Sequence, residues 1–163
     1  MGMALSPFNA FMMHHGCETL HVRMERHSSN ALRLAHYLEQ HPLVKWVSYP
    51  GLPSSPSYER AQKYLPKGCS GVLAFGIEGG KEAGQQLIEN LKVIALVVHV
   101  ADVRTCILHP SSTTHRQLSE AEQIAAGVSP DLIRLSVGLE NVDDLIEDFE
   151  QAFEALRKYI VER

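Results

Sequence analysis

The chain has 163 residues, 45% apolar and 21% charged, with a formal net charge of −4. That balance suits a single globular domain, residues 1–163, with a core of its own. It leaves no basic face for nucleic acid or acidic lipid, and the longest apolar run, Val93 to Val98, is far too short to cross a bilayer.

Ser6-Pro7 is a helix opening, a hydroxyl cap followed by a proline in the first turn. Phe8, Phe11, Met12 and His15 then share one helical face, and Gly16 is expected to break the run. A longer helix follows, with Leu20, Met24, Ala31, Leu34, Ala35 and Leu38 at intervals of three and four. It ends at His41-Pro42, because the residue before a proline avoids the helical region.

Val44 to Tyr49 reads as a strand, Pro50-Gly51-Leu52-Pro53 as a turn, and Pro56 to Tyr64 as a helix stopped by Pro66-Lys67-Gly68. Gly71 to Ile77 is continuously apolar, the pattern of a central strand covered on both faces. Lys81 to Asn90 is helical, and Val93 to Val98 and Thr105 to Leu108 are expected strands. Ser119-Glu120-Ala121-Glu122 fits the capping box of another helix, with Gly127 as its stop.

Leu132 to Val137 is a strand with Ile133, Leu135 and Val137 on one face and Leu132, Arg134 and Ser136 on the other. The last helix starts after Asn141, with Val142, Leu145, Ile146, Phe149, Phe153, Leu156 and Ile160 as its apolar face. Asp143, Asp144, Glu147 and Asp148 crowd its first turns and Arg157 and Lys158 lie near its end, the order the helix dipole favours. Strands and helices mingle with connections too short for most parallel crossovers. The expected fold is therefore α/β of the α+β two-layer kind, a small and largely antiparallel sheet packed against helices.

Several chemistries fail on pattern. Nine histidines form no i, i+4 pair of the metalloprotease type, and His109 and His115 flank a loop without cysteine or acidic partners in register. No metal site is therefore expected, and His14, His15, His21, His27 and His36 read as surface or packing residues. Gly76 to Lys81 follows a strand and opens a helix, but it is one residue short of a phosphate loop and places Glu82 where a hydroxyl should stand. Ser70-Gly71 lacks the elbow of a serine nucleophile. Cys17, Cys69 and Cys106 form no Cys-x-x-Cys pair, which points to reduced thiols and a cytoplasmic setting. Met1-Gly2-Met3-Ala4 runs into the first helix without the pattern of a signal peptide.

Arg134 remains. A mid-strand arginine is costly to desolvate unless it meets an anion, and its planar fork suits a carboxylate held by two parallel bonds. On sequence alone that anion is either a ligand or an acidic side chain of the same protein.

The stretch His109 to His115, then Gln117 through Phe149, resembles the C-terminal domain of the pyridoxal-phosphate enzymes of cysteine and methionine metabolism. Ala4-Leu5-Ser6-Pro7-Phe8-Asn9-Ala10-Phe11, Arg23-Met24-Glu25-Arg26-His27, Tyr49 to Ser54 and Tyr64 to Gly68 match as well, so the likeness covers nearly the whole chain. Within that family it is most similar to the O-acetylhomoserine sulfhydrylases.

The resemblance implies the C-terminal domain of a fold-type I enzyme. It implies that Arg134, in Arg-Leu-Ser-Val-Gly, binds the α-carboxylate of an amino-acid substrate. It also implies that the loop before the strand at 104–109 reaches the active site. That loop usually carries Ser or Asn followed two residues later by Gly, where this chain has His99 and Ala101. Thr114 is a further candidate for the pocket wall, or else a turn hydroxyl capping backbone groups.

The family's cofactor lysine, phosphate cradle and acidic partner for the ring nitrogen lie in a larger preceding domain. Lys45, Lys63, Lys67, Lys81, Lys92 and Lys158 show none of that domain's Ser-x-Thr-Lys context. The full-length enzyme is therefore expected to use pyridoxal phosphate, whereas this chain is expected to hold no cofactor and to be inactive alone. The expected partners are the missing N-terminal cofactor domain, an amino-acid substrate and further copies of itself. A γ-lyase or cystathionine-type enzyme of the same family is the alternative. A non-catalytic module, oligomerising or complementing a separate cofactor domain, is the alternative of another class.

Overall fold

The computed structural model describes residue 2 and residues 4–161. Ser6 caps helix α1 (Pro7–Glu18), its hydroxyl accepting from the Asn9 amide at 3.3 Å. Gly16 does not break the helix, as a mid-helix glycine costs only about 1 kcal/mol. The bend falls at Thr19, where the Arg23 guanidinium donates to the Gly16 carbonyl left free by the ending helix. Helix α1 buries no residue at all, and Phe8, Phe11, Met12 and Met13 stand exposed.

Helix α2 (Leu20–Gln40) turns His27, Asn30, Ala31, Leu34, Ala35 and Leu38 inward at helical spacing. It stops where His41 takes an extended conformation before Pro42. Two further helices, α3 (Tyr58–Tyr64) and α4 (Gly80–Asn90), follow strands β1 (Val44–Ser48) and β2 (Val72–Ile77) in turn. After β3 (Ala95–Leu96) and β4 (Cys106–Leu108) comes the short α5 (Glu120–Ala125). Its capping box is complete, with the Ser119 hydroxyl on the Glu122 amide and the Glu122 carboxylate on the Ser119 amide, and Gly127 stops it at φ 80°. Strand β5 (Leu132–Ser136) and helix α6 (Val142–Val161) complete the chain.

The five strands lie in the order β1-β2-β5-β4-β3. Among the described residues three pairings are antiparallel, and only β3 runs parallel to its neighbour β4. Helices α2, α4 and α6 enclose one core with Leu73, Phe75, Ile77, Ile107, Ile133, Leu135 and Val137 of the sheet. Phe75 meets Phe149 of α6 edge to face, and each such buried side chain contributes about 1.5–3 kcal/mol. The two-layer arrangement is thus the expected one. Among the described residues no helix is long and apolar enough to cross a membrane.

Two strands depart from expectation. β2 is not fully covered on its outer face: Leu73, Phe75 and Ile77 are buried, but Val72 and Ala74 are only half-buried. The strand expected over Val93 to Val98 shrinks to two residues. Its first amides are taken by Asp148 of α6, whose carboxylate accepts from Lys92 at 2.8 Å and from Val93 and Ile94 at 2.9 Å.

Candidate functional site

Strand β5 is central, and the alternation of its side chains turns Arg134 to the outer face, away from the helices. Ala74 of β2 and Leu108 of β4 are its cross-strand neighbours. No carboxylate lies within ion-pair distance of Arg134 among the described residues, so the internal acidic partner that the sequence left open is not there. Instead one terminal nitrogen, Nη2, donates to the Val98 carbonyl at 2.8 Å. The Arg134 Nε is buried and has no hydrogen-bond partner. A buried donor left unpaired costs about 1–3 kcal/mol, which an incoming anion can recover.

The segment between β3 and β4 crosses this face as a strap. Besides the Val98 contact, the Ala101 amide donates to the Ser136 hydroxyl at 3.1 Å, and the Leu139 amide donates to the Val103 carbonyl at 2.8 Å. Ala101 has φ 63°, in the left-handed region that favours glycine, at the position where the resemblance implies Gly. His99 is exposed and pairs with Asp102 at 3.3 Å. The Arg104 amide and then the His99 ring hold the Asp102 carboxyl below the usual carboxylate range.

Beneath the strap, Glu140 accepts from the Thr105 amide at 2.6 Å and from its hydroxyl at 2.8 Å, while that hydroxyl accepts from the Gly138 amide at 2.9 Å. From the helix side, the His27 ring meets the Val137 carbonyl at 2.6 Å, and Asn30 donates to the carbonyls of Gly138 and Glu140 at 3.0 and 2.9 Å. These bonds fix the end of β5 and hence the height of Arg134 on the sheet. The sequence reading missed them. Asn30, a polar residue among the inward positions of α2, was the available signal.

Thr114 lies on the exposed surface with its hydroxyl against the His115 ring at 2.9 Å. No bond links it to Arg134 or to the strap among the described residues. A separate groove of about 710 Å³ between α2 and residues 65–70 is lined by Met24, Leu65, Lys67, Cys69 and Ser70, among others. It holds none of the three sequence candidates.

A pyridoxal phosphate site needs an enclosed lysine. All six lysines of this chain are exposed: Lys45 lies 3.8 Å from Asp131, and Lys63 sits over the Tyr64 ring. The residues present therefore do not fit the cofactor.

The fold and Arg134 together define a two-layer α/β domain that carries, on the outer face of its sheet, a cationic fork with no carboxylate partner among the described residues. The family pattern of the Cys/Met metabolism pyridoxal-phosphate-dependent enzymes matches residues 1–154, and the chain belongs to that family. It is 48% identical over 153 residues to the O-acetyl-L-homoserine sulfhydrylase of Leptospira meyeri, covering 93% of this chain and 35% of that protein. It is 52% identical over 151 residues to O-acetyl-L-homoserine sulfhydrylase 1 of Thermus thermophilus, covering 93% of this chain and 36% of that protein.

A crystal structure of a candidate O-acetylhomoserine (thiol)-lyase from Campylobacter jejuni, containing N′-pyridoxyl-lysine-5′-monophosphate, superposes with a TM-score of 0.84 at 42% identity. It covers 94% of this chain and 36% of that one. The chain thus spans about a third of the length of the relatives it matches.

Proposed function

We propose that this chain is the substrate-carboxylate-binding part of a pyridoxal-phosphate-dependent O-acetylhomoserine sulfhydrylase. The whole enzyme exchanges the acetate of O-acetylhomoserine for sulfide or a thiol: a carbon–oxygen bond breaks, a carbon–sulfur bond forms, and the products are homocysteine or methionine plus acetate. The cofactor supplies the electron sink, held by the part of the enzyme outside the matched third. Arg134 supplies the grip, two charge-assisted bonds that orient the substrate by its α-carboxylate. The observation that carries the reading is an arginine fork on a central strand with an unpaired buried Nε and no acidic partner among the described residues.

The same reading makes the domain one part of an assembly. Helix α1 buries nothing and leaves Phe8, Phe11, Met12 and Met13 exposed, as are Leu20 and Val22 on α2. Exposed apolar side chains in such number are the kind that another domain or a second copy covers.

The test is a chimera in which this chain replaces the matching third of the Thermus thermophilus relative. Acetate release that depends on added sulfide, with homocysteine formed in equal amount, is the expected result. Ammonia and a 2-oxo acid would instead mark the γ-lyase reaction. A folded, cofactor-loaded chimera that does neither would refute the assignment.

A further inference from the structure

Nη2 is the nitrogen common to both two-pronged edges of a guanidinium, the edge with Nε and the edge with Nη1. In Arg134 that shared nitrogen is already engaged by the Val98 carbonyl on the solvent side, and the Nε edge is buried. A carboxylate arriving from solvent therefore meets an arginine whose fork is partly occupied by main chain.

The strap that delivers this carbonyl is weakly held. None of residues 97–104 is buried, and only Val97 and Asp102 are half-buried, so little apolar packing secures it. Its tethers are the Arg134 bond, the Ala101–Ser136 bond and the Leu139–Val103 bond. It also carries strain at Ala101, whose φ of 63° places a Cβ where glycine would be at ease.

We propose that the 97–104 strap is a self-blocking lid on Arg134, whose Val98 carbonyl competes with a substrate carboxylate, and that Ser136 and Ala101 set how readily it lifts. The proposal rests on the carboxylate reading of Arg134. Ser136 favours closure by accepting from the Ala101 amide, and the left-handed Ala101 opposes it. The strained residue thus lowers the cost of opening, whereas glycine there would hold the lid down.

The test is an NMR titration of the 163-residue chain with L-methionine and with L-methioninol, which lacks the carboxylate. L-Methionine should shift the Arg134 Nε–H resonance together with the amides of Val98 to Ala101, and L-methioninol should not. Ser136→Ala should tighten L-methionine binding about two- to tenfold, the range one ordinary hydrogen bond supports. Ala101→Gly should weaken it about two- to fivefold. Should Ser136→Ala fail to fold, Ala101→Gly decides alone. Binding that Arg134→Ala abolishes but that neither strap variant changes overturns the lid and leaves the carboxylate reading standing. No carboxylate-dependent shift in any variant, Ser136→Ala included, overturns both.

Discussion

Asp148 offers the sharpest test of how the candidate site is supported. Its side chain is 4% exposed on α6, and its carboxylate gathers three consecutive main-chain amides, Lys92, Val93 and Ile94, at 2.8–2.9 Å. Gln151 closes the cluster, donating to the same carboxylate at 3.2 Å and to the Asn90 carbonyl. Asp148→Ala removes the acceptor and leaves three amides pointing at a void. Charge-assisted bonds contribute about 1.5–3 kcal/mol each. Lys92 and Val93 are exposed enough for water to replace part of the loss, while the Ile94 amide bond is fully buried.

The expected cost is therefore about 3–5 kcal/mol, a large part of the roughly 5–15 kcal/mol by which a domain is stable. Urea unfolding followed by the fluorescence of the single tryptophan, Trp46, measures it, with the exposed Glu147→Ala as a control expected within about 0.5 kcal/mol. Hydrogen exchange should show protection lost first at Ile94, where the chain leads into the strap. A loss below about 1 kcal/mol for Asp148→Ala would refute the cluster as the anchor of this segment.

Two further outcomes follow from other buried groups. Burial lowers the pKa of His41, which stacks on Phe153 at 3.9 Å, and of His109, whose ring nitrogens meet the Ser112 hydroxyl and the Pro130 carbonyl at 2.8 Å. Below about pH 6.5 the unfolded chain binds more protons than the folded one. Their contribution to stability is therefore intact above that pH and lost as pH falls through the folded values. The melting temperature should drop between pH 7 and pH 5, and His109→Gln should flatten that slope; an unchanged slope would remove His109 from the account. At Gly76 an added Cβ would overlap Trp46 Nε1, which donates to Asp131 at 3.1 Å. Gly76→Ala should expel the indole, shift its emission to the red and cost about 1–3 kcal/mol; unchanged emission would contradict the packing.

What the sequence makes legible is mostly what is local. The caps at Ser6 and Ser119 and the stop at Gly127 announce themselves because each acts within a few residues. The place of Arg134 on the outer face of β5 was legible because strand alternation sets it. The length of β3 was not, since Asp148 competes for its amides from more than 50 residues away. The strap was hidden for a different reason: its contact with Arg134 is a main-chain carbonyl, which every residue possesses and no residue type advertises. Ala101 was noticed as a departure from the family pattern, and only its left-handed backbone gives that departure a physical meaning.

The central claim is that Arg134 holds the substrate by its carboxylate, and the chimera with the Thermus thermophilus relative measures this directly. Steady-state kinetics on O-acetyl-L-homoserine should show kcat/KM falling about 10²–10⁴-fold in Arg134→Ala, the loss of two charge-assisted bonds, with the melting temperature little changed. A value within threefold of the unsubstituted chimera would contradict the account.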